Sequence, residues 1–406
     1  MQTKKETTGP ARRITHAIFS PLKSFLSDSR AVGIVLVACT VVSLVLSNNS
    51  RTGEVYRGWW TTAIASPGGL SLPHDCVGWI NDWLMVFFFF LVGMEIKREL
   101  LAGELATLRK SLLPVAGALG GMVVPAVIFA VFNHGTPFHH GWGIPMATDI
   151  AFSLGILSLL GDRVPLQLKV FLTALAIIDD LGAIVVIALF YSTGVHGGYL
   201  AGALLILCIP VALNLLKSGR LILYLIPGIG VWYCLLNSGI HPTIAGVMMA
   251  FCIPLRRIPD LERALYDVVN FLIMPLFALA NTAILFPADM AAVMHSPIAY
   301  GVVLGLFLGK PVGITLFSYV SVKLGIAQLP SGARWKQMWG VGMIAGIGFT
   351  MSIFIATLAF GSVDEQVISK MAVLAASVLA GVSGYCFIRW LSPNPGAGGN
   401  PGPRVS

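Results

Sequence analysis

The chain has 406 residues, of which 56% are apolar and 11% charged, with a formal net charge of +8 and a mean hydropathy of +0.84. A soluble domain carries about 25% charged residues, so this composition excludes a water-exposed globular protein, an intrinsically disordered chain and a disulfide scaffold. The basic residues form short clusters between apolar runs, so we expect the lipid bilayer as a partner and no nucleic acid.

Apolar runs follow one another along almost the whole chain, and twelve approach the roughly 20 residues that a spanning helix needs. They are residues 31–47, 77–96, 111–132, 141–160, 166–191, 197–216, 221–236, 240–255, 268–286, 298–322, 337–360 and 366–388. These runs are too long for the strands of a barrel. The predicted fold class is therefore an all-α membrane protein with about twelve transmembrane helices.

The ends of the chain differ from this transmembrane domain, which we place at residues 31–390. Residues 1–30 are polar and basic, and residues 391–406 are rich in proline and glycine, which predicts a disordered tail. With the N-terminus in the cytoplasm, only two of the 26 lysines and arginines, Arg51 and Arg57, fall in outer loops. The positive-inside rule therefore predicts that both termini are cytoplasmic.

Four ionisable residues lie at the centres of predicted spans. They are Asp149 in the fourth span, Asp179 and Asp180 in the fifth, and Lys310 in the tenth. Charged groups at this depth are costly and are functional by default. One lysine cannot neutralise three aspartates, so at least two of them need another cation, which a proton or a metal ion could supply. A salt bridge that only staples the helices together is the alternative role for Lys310.

Asp179 and Asp180 are consecutive, and consecutive helix positions are about 100° apart. The two side chains therefore cannot face the same point, and one can bind an ion while the other pairs with Lys310. A proton or a hard metal ion is the expected occupant, because hard cations prefer oxygen ligands.

Two spans carry helix-breaking residues near their centres. Gly143 and Pro145 precede Asp149, and Gly346 and Gly348 interrupt the eleventh span. Interrupted helices in different halves of a chain indicate a transporter site where the breaks cross at mid-membrane. Broken helices also expose carbonyl oxygens to a cation.

A second set of ionisable residues lies near the span ends. Glu95, Arg98 and Glu99 at the inner end of the second span form either a solvated helix end or a proton-collecting surface. His241, at the outer start of the eighth span, is interpreted as a hydrogen-bonded residue at a helix start.

The segments around these charges are distinctive. They read Ala147-Thr-Asp-Ile-Ala-Phe152, Ala176-Ile-Ile-Asp-Asp-Leu-Gly-Ala183, Leu308-Gly-Lys-Pro-Val-Gly313 and Gly346-Ile-Gly-Phe-Thr-Met-Ser352. Here the sequence resembles the bacterial sodium–proton antiporter family of the NhaA type, in family order from about residue 31 to 390. The resemblance implies a secondary transporter of the bacterial inner membrane, with inverted repeats in spans 3–5 and 10–12 and two broken helices that cross.

The resemblance also implies roles for the central residues. Asp179, Asp180, Asp149 and Thr148 would bind sodium and protons, with Asp179, Asp149 and Thr148 as sodium ligands. Lys310 would balance their charge and pair with Asp180. The chain would exchange cytoplasmic sodium, and also lithium, for external protons in an electrogenic cycle, with no enzyme activity and no cofactor besides the transported ions.

Regulation and assembly are implied in the same way. Glu95, Arg98, Glu99 and His241 would sense pH, and the outer loop 48–76 would form a hairpin that joins a homodimer. One departure concerns the cytoplasmic connection 256–270, which contains no histidine, so a sharp pH switch is not expected from that segment.

Two other functions remain open at this point. A symporter of an organic solute would bind sodium without proton competition. An intramembrane hydrolase could use paired aspartates, although a shared-proton dyad needs carboxyl groups from different segments, and Asp179 and Asp180 are adjacent on one helix.

Overall fold

A computed structural model describes residues 29–66, 68, 70–192 and 194–391, and for Ser29, Leu108 and Arg109 it describes the backbone alone. The predicted N-terminal segment 1–30 and tail 391–406 therefore lie almost wholly outside the described residues.

The described residues fold into helices joined by short connections. Apart from short 3-10 turns, the elements are α1 Ser29–Asn48, α2 Gly53–Trp60, α3 Cys76–Ala102, α4 Leu108–Phe132, a 3-10 helix Pro137–Met146, α5 Ile150–Leu159, α6 Leu166–Phe190, α7 Gly197–Leu215, α8 Ile222–Leu236, α9 Ile244–Cys252, α10 Leu255–Asn281, α11 Met290–Met294, α12 Pro297–Lys323, α13 Trp335–Ala345, α14 Phe349–Ala359 and α15 Val363–Leu391.

The predicted all-α membrane fold is confirmed. Within the described residues, eight helices are long and apolar enough to cross a membrane, namely α1, α3, α4, α6, α7, α10, α12 and α15. Two further spans are broken, since the 3-10 helix and α5 meet at 43° and α13 and α14 at 50°. The two remaining predicted spans, 221–236 and 240–255, correspond to α8 and α9, whose 15 and 9 residues are short for a crossing helix.

The outer loop differs from the expected hairpin. Residues Gly53–Trp60 form helix α2, and β pairing in the described part of the loop is limited to one antiparallel bridge between Ala63 and Asp75. Tyr56 and Trp60 are four residues apart and their rings contact each other edge to face, with centroids 5.9 Å apart. That spacing favours a helix over a strand, because it places both rings on one helical face.

The predicted connection 256–270 was also wrong, because this segment forms most of the first half of α10. Pro259 lies in the first turn, where its missing N–H has no cost. Leu261 and Leu265 follow at helical spacing and pack against the core. The many charges of this stretch occupy the other faces of the helix.

The helices that frame the centre of the bundle pack through glycine. A Cβ atom on Gly120 of α4 would overlap the backbone carbonyl of Gly313 on α12, and a Cβ on Gly313 would overlap that of Gly120. Gly301, Gly305 and Gly309 of α12 also lie close to α4 or to the 3-10 helix, which is typical of small residues spaced by four on a membrane helix. Residues Gly305–Gly309 form a π-helical turn that ends directly before Lys310.

Candidate ion-binding site

The two broken helices hold each other by reciprocal hydrogen bonds. Ser153 of α5 donates to the carbonyl oxygen of Ile344 in α13, at 3.1 Å. Ser352 of α14 donates to the carbonyl oxygen of Ile144 in the 3-10 helix, at 2.8 Å. Each serine lies in the helix after a break and bonds a carbonyl near the end of the opposite helix. The Ile344 carbonyl also accepts from the backbone N–H of Ile347, at 3.1 Å.

Asp149 lies in the first break and caps α5. Its Oδ1 accepts from the backbone N–H of Phe152 at 3.1 Å, and its Oδ2 accepts from the backbone N–H of Thr350 at 3.2 Å and from the Thr350 hydroxyl. The backbone N–H of Asp149 donates to the Ile347 carbonyl at 2.7 Å. One buried carboxylate therefore accepts from the positive N-terminal ends of both α5 and α14.

The glycines of the second break allow this close approach. Gly346 and Gly348 both have ordinary negative φ angles, so backbone conformation does not require glycine there. A Cβ on Gly346 would overlap the carbonyl oxygen of Leu306, and one on Gly348 would overlap the Ser352 hydroxyl. Gly143 and Pro145, expected to break the first helix, lie inside the 3-10 helix, and the break follows them at residues 147–149.

Lys310 pairs with Asp179. The ammonium contacts Asp179 Oδ2, and both side chains are completely inaccessible to solvent. The Thr148 hydroxyl accepts from Lys310 Nζ at 2.8 Å and lies 2.8 Å from Asp179 Oδ2 and 2.9 Å from the carbonyl oxygen of Ala345. The expected pairing of Lys310 with Asp180 is therefore wrong for this conformation, because the ammonium meets Asp179 instead.

Asp180 faces a different environment. It is 2% exposed, and its Oδ1 has no hydrogen-bond partner among the described residues. Asp180 lines a cavity of about 220 Å³, together with Asp149 and Thr350. The same cavity reaches Glu95, Arg98 and Glu99, so it joins the helix crossing to the end of α3 that the sequence predicts to be cytoplasmic.

The charged residues at the mouth of the cavity connect two helices. Arg98 donates from Nε to Glu262 of α10 at 3.1 Å and lies 3.7 Å from Glu99. Glu99 also accepts from the backbone N–H of Glu104 at 3.1 Å. Glu95 lies on the same turn and lines the cavity. This cluster is therefore a structured contact between α3 and α10 rather than a simple solvated helix end.

His241 lies away from the cavity, directly before α9. Its Nε2 is 3.3 Å from Asp82 Oδ1 on α3, and its Nδ1 is 2.8 Å from the Thr243 hydroxyl. The indole N–H of Trp232 donates to the backbone carbonyl of Asp82 at 2.6 Å. His241 thus occupies a hydrogen-bonded position at a helix start, as predicted.

Several residues of the site were missed by the sequence reasoning. Thr350 donates hydrogen bonds to Asp149. Ser153 and Ser352 link the two broken helices. Glu262 pairs with Arg98 at the mouth of the cavity. A polar residue shortly after each helix break was the available signal for Thr350, Ser153 and Ser352. Glu262 carried no comparable signal, because its segment was interpreted as a connection.

The geometry as a whole defines a class of protein. Membrane-spanning helices surround two broken helices, and the buried carboxylates Asp149 and Asp180 line a cavity that also reaches the charged cluster near the end of α3. This is the arrangement of a secondary transporter for a small cation. In the described residues, no group of three histidine, cysteine, aspartate or glutamate side chains forms a metal cluster.

Comparison with known proteins assigns the family. Residues 23–388 match the model of the family described as Na+/H+ antiporter 1, and the chain belongs to that family. It is 49% identical to the Na(+)/H(+) antiporter NhaA of Cytophaga hutchinsonii over 381 residues, which covers 92% of this chain and 96% of the relative.

Other bacteria carry similar proteins. The chain is 46% identical to Na(+)/H(+) antiporter NhaA 1 of Flavobacterium johnsoniae, over 91% of this chain and 96% of the relative. It is 44% identical to the Na(+)/H(+) antiporter NhaA of Escherichia coli, over 91% of this chain and 97% of the relative. The protein is thus a multi-pass membrane transporter and not an enzyme, which removes the hydrolase alternative.

Proposed function

We propose that this chain moves sodium out of the cytoplasm in exchange for protons from outside, driven by the proton gradient. The observation that carries the proposal is Asp180, a buried carboxylate that lines the cavity and has one oxygen without a hydrogen-bond partner among the described residues. Such a group needs a positive partner, because an isolated buried charge costs several kcal/mol or more. Sodium and a proton are alternative partners for the same oxygens, so binding one releases the other.

The proposed sodium site lies at the crossing. Sodium enters along the cavity to Asp180 and Asp149, and Asp179 and Thr148 join as ligands when the ion pair with Lys310 opens. Main-chain carbonyl oxygens near the breaks complete a set of hard oxygen ligands, which suits sodium and also lithium. The family membership and the relatives' names support sodium and protons as the substrates.

An electrogenic cycle needs more proton-carrying groups than sodium sites. Asp180 is one such group. The Asp179–Lys310 pair is the second, because Lys310 no longer has its counter-ion once Asp179 turns to sodium. Two protons per sodium ion would then carry net charge inward, and the membrane potential would add to the driving force.

We further propose that pH regulates the exchange through two sets of residues. Glu95, Arg98 and Glu99 lie at the cavity mouth, where proton binding would change the contact between α3 and α10. His241, paired with Asp82, would act from the other end of α3. These roles rest on position and on the resemblance to the family.

The proposed setting is the inner membrane of a bacterium, with both termini in the cytoplasm, as the distribution of lysine and arginine favours. A homodimer would form through the outer loop 48–76. Helix α2 supports this proposal, because Val55 and Trp59 are 77% and 58% exposed on one of its faces.

The test is sodium-dependent proton movement in everted membrane vesicles. Asp180→Asn should abolish it, because an amide can neither release a proton nor balance a sodium ion. Asp260→Asn is the matched control, since Asp260 is an exposed carboxylate paired only with Arg263 at the surface and should retain full activity. Full sodium-dependent proton movement in a folded Asp180→Asn variant would refute the proposal.

A further inference from the structure

An aromatic cluster lies directly beyond the closed end of the cavity. Phe354 of α14 is fully buried, and its ring centroid lies 5.3 Å from that of Phe89 on α3 and 6.2 Å from that of Phe277 on α10. His241 contacts the same ring edge to face at 5.2 Å. These separations are typical of aromatic rings in direct contact.

The order of residues along each helix places this cluster relative to the site. On α14, Thr350 lines the cavity, and Phe354 lies four residues further on, about 6 Å along the helix axis. On α10, Met274 lines the cavity and Phe277 lies one turn beyond it. Phe89, Phe277, Phe354 and His241 are themselves not part of the cavity lining.

The cluster also joins the crossing to the surrounding helices. Phe354 belongs to the second broken helix, whereas Phe89, Phe277 and His241 come from α3, α10 and the start of α9. Movement of the broken helices relative to α3 and α10 must therefore separate or re-form these ring contacts. Phenylalanine rings offer a sodium ion no oxygen ligand to replace its water, so closed ring contacts would block both sodium and a hydrated proton carrier.

We propose that Phe354 is the outer barrier residue of the ion path, closing the carboxylate site towards the outside through Phe89 and Phe277 while the cavity leaves the site open to the cytoplasm. This inference rests on the proposed function and orientation. Exchange requires that the site never be open to both sides at once, since sodium and protons would then each run down their own gradient. Phe354 is a positioning residue in this scheme, because it contacts neither ion.

The test uses a reporter cysteine in the cavity. The six native cysteines are replaced, Thr173→Cys is introduced on the cavity wall, and retained sodium-dependent proton movement is checked in this parent. A small, cationic, membrane-impermeant methanethiosulfonate is then applied, without sodium, to right-side-out or to everted vesicles. The parent should be labelled in everted vesicles and protected in right-side-out vesicles.

Removing a ring of the cluster should open the carboxylate site to the outside as well. Phe354→Ala, and independently Phe277→Ala should the first variant fail to fold, should become labelled in right-side-out vesicles and should let protons leak without sodium. Phe354→Leu keeps apolar bulk and should stay protected. Phe129→Ala is the matched control, because it removes an equally buried ring elsewhere in the bundle and should stay protected.

The outcomes separate the two proposals. Folded Phe354→Ala and Phe277→Ala variants that stay protected, a parent labelled from both sides, or equal opening by Phe129→Ala would each overturn the barrier. Failure of the antiport proposal would appear differently, as a natural-sequence protein without sodium-dependent proton movement, and the labelling pattern would still decide the barrier.

Discussion

Lys310 and Asp179 form an ion pair that solvent does not reach, in contact with the Thr148 hydroxyl. Removing two charges from water costs several kcal/mol per ion, which their attraction in the interior repays only with good geometry. The pair is therefore a poor source of stability. In the proposed mechanism its value is that Asp179 keeps a positive partner while Asp180 is left to exchange ions.

This reasoning predicts the behaviour of variants of the pair. Lys310→Met should destabilise the protein by about 3–5 kcal/mol, because it leaves the carboxylate of Asp179 buried without a partner. Adding Asp179→Asn should recover most of that loss, while sodium-dependent proton movement stays absent. Thermal unfolding in detergent measures the stability, and a double variant no more stable than Lys310→Met would contradict the account.

The central charges could be found from depth alone, because few features other than function keep an aspartate at the middle of an apolar span. Their partners could not. Asp179 and Asp180 are neighbours in sequence, and the choice of which one meets Lys310 depends on how α6 and α12 each pack against α4. The role of Thr350 likewise depends on two chain segments 201 residues apart meeting at the breaks.

At the scale of helices, the crossing is held by short-range contacts that tolerate no extra atoms. Gly120 and Gly313 bring the backbones of α4 and α12 together next to Lys310, and Gly346 does the same for the second break and Leu306. Interiors packed this closely respond to a single added methyl group. The position of Lys310 therefore depends on residues that carry no chemistry of their own.

Alanine substitutions test this dependence. Gly120→Ala and Gly313→Ala should each destabilise the protein by about 1–3 kcal/mol, as overpacking does in close-packed interiors. Gly58→Ala is the control, because a Cβ at Gly58 in α2 meets no atom within 4 Å. That variant should be neutral or more stable by about 0.5–1 kcal/mol, since alanine suits a helix better than glycine. Equal effects of Gly120→Ala and Gly58→Ala on thermal unfolding would contradict the packing account.

The reciprocal serines give a second prediction at this scale. Ser352→Ala should cost about 1–3 kcal/mol, because it leaves the buried Ile144 carbonyl oxygen without a donor among the described residues. Ser153→Ala should cost less, about 0.5–1.5 kcal/mol, because the Ile344 carbonyl still accepts from the backbone N–H of Ile347. Ser192→Ala is the control, since Ser192 directly follows α6 and, within the described residues, bonds the carbonyl of Ala188 in that helix and joins no second helix. Thermal unfolding measures the stability of the three variants. Unchanged stability in both Ser153→Ala and Ser352→Ala would show that these hydrogen bonds do not stabilise the crossing.

The helices themselves followed from apolar length, and both broken spans from glycine and proline near their centres. The misassigned segments were the amphipathic ones. Residues 256–270 and Gly53–Trp60 are too charged or too short to count as spans, yet their apolar residues recur at helical spacing. Whether such a segment becomes a helix depends on how it packs against the bundle, and overall hydropathy does not report that packing.

For the whole molecule, access to the carboxylates is one-sided. The cavity connects Asp149 and Asp180 to the cluster around Arg98, whereas the aromatic rings around Phe354 would close the other direction in the proposed scheme. A transporter in this conformation receives sodium from the predicted cytoplasmic side. The opposite conformation must close the cavity and part the rings, which the hinge-like breaks beside Asp149 would allow.

The proposed dimer gives a prediction at this scale. Val55→Asp combined with Trp59→Ser should lower the dimeric fraction in detergent while preserving sodium-dependent proton movement, because both side chains project from α2 away from the bundle. Val195→Ser, an exposed site in another predicted outer loop, should leave the mass unchanged. Light scattering measures the mass, and an unaltered dimer in the double variant would place the interface elsewhere.

The central claim is that sodium and protons compete for the same buried carboxylates. Proton release from the purified protein in weakly buffered detergent solution, on addition of sodium chloride and across a range of pH, tests it most directly. The account predicts that sodium displaces protons from the natural-sequence protein, and that Asp180→Asn abolishes the release. Sodium binding without any proton release, at every pH, would contradict it.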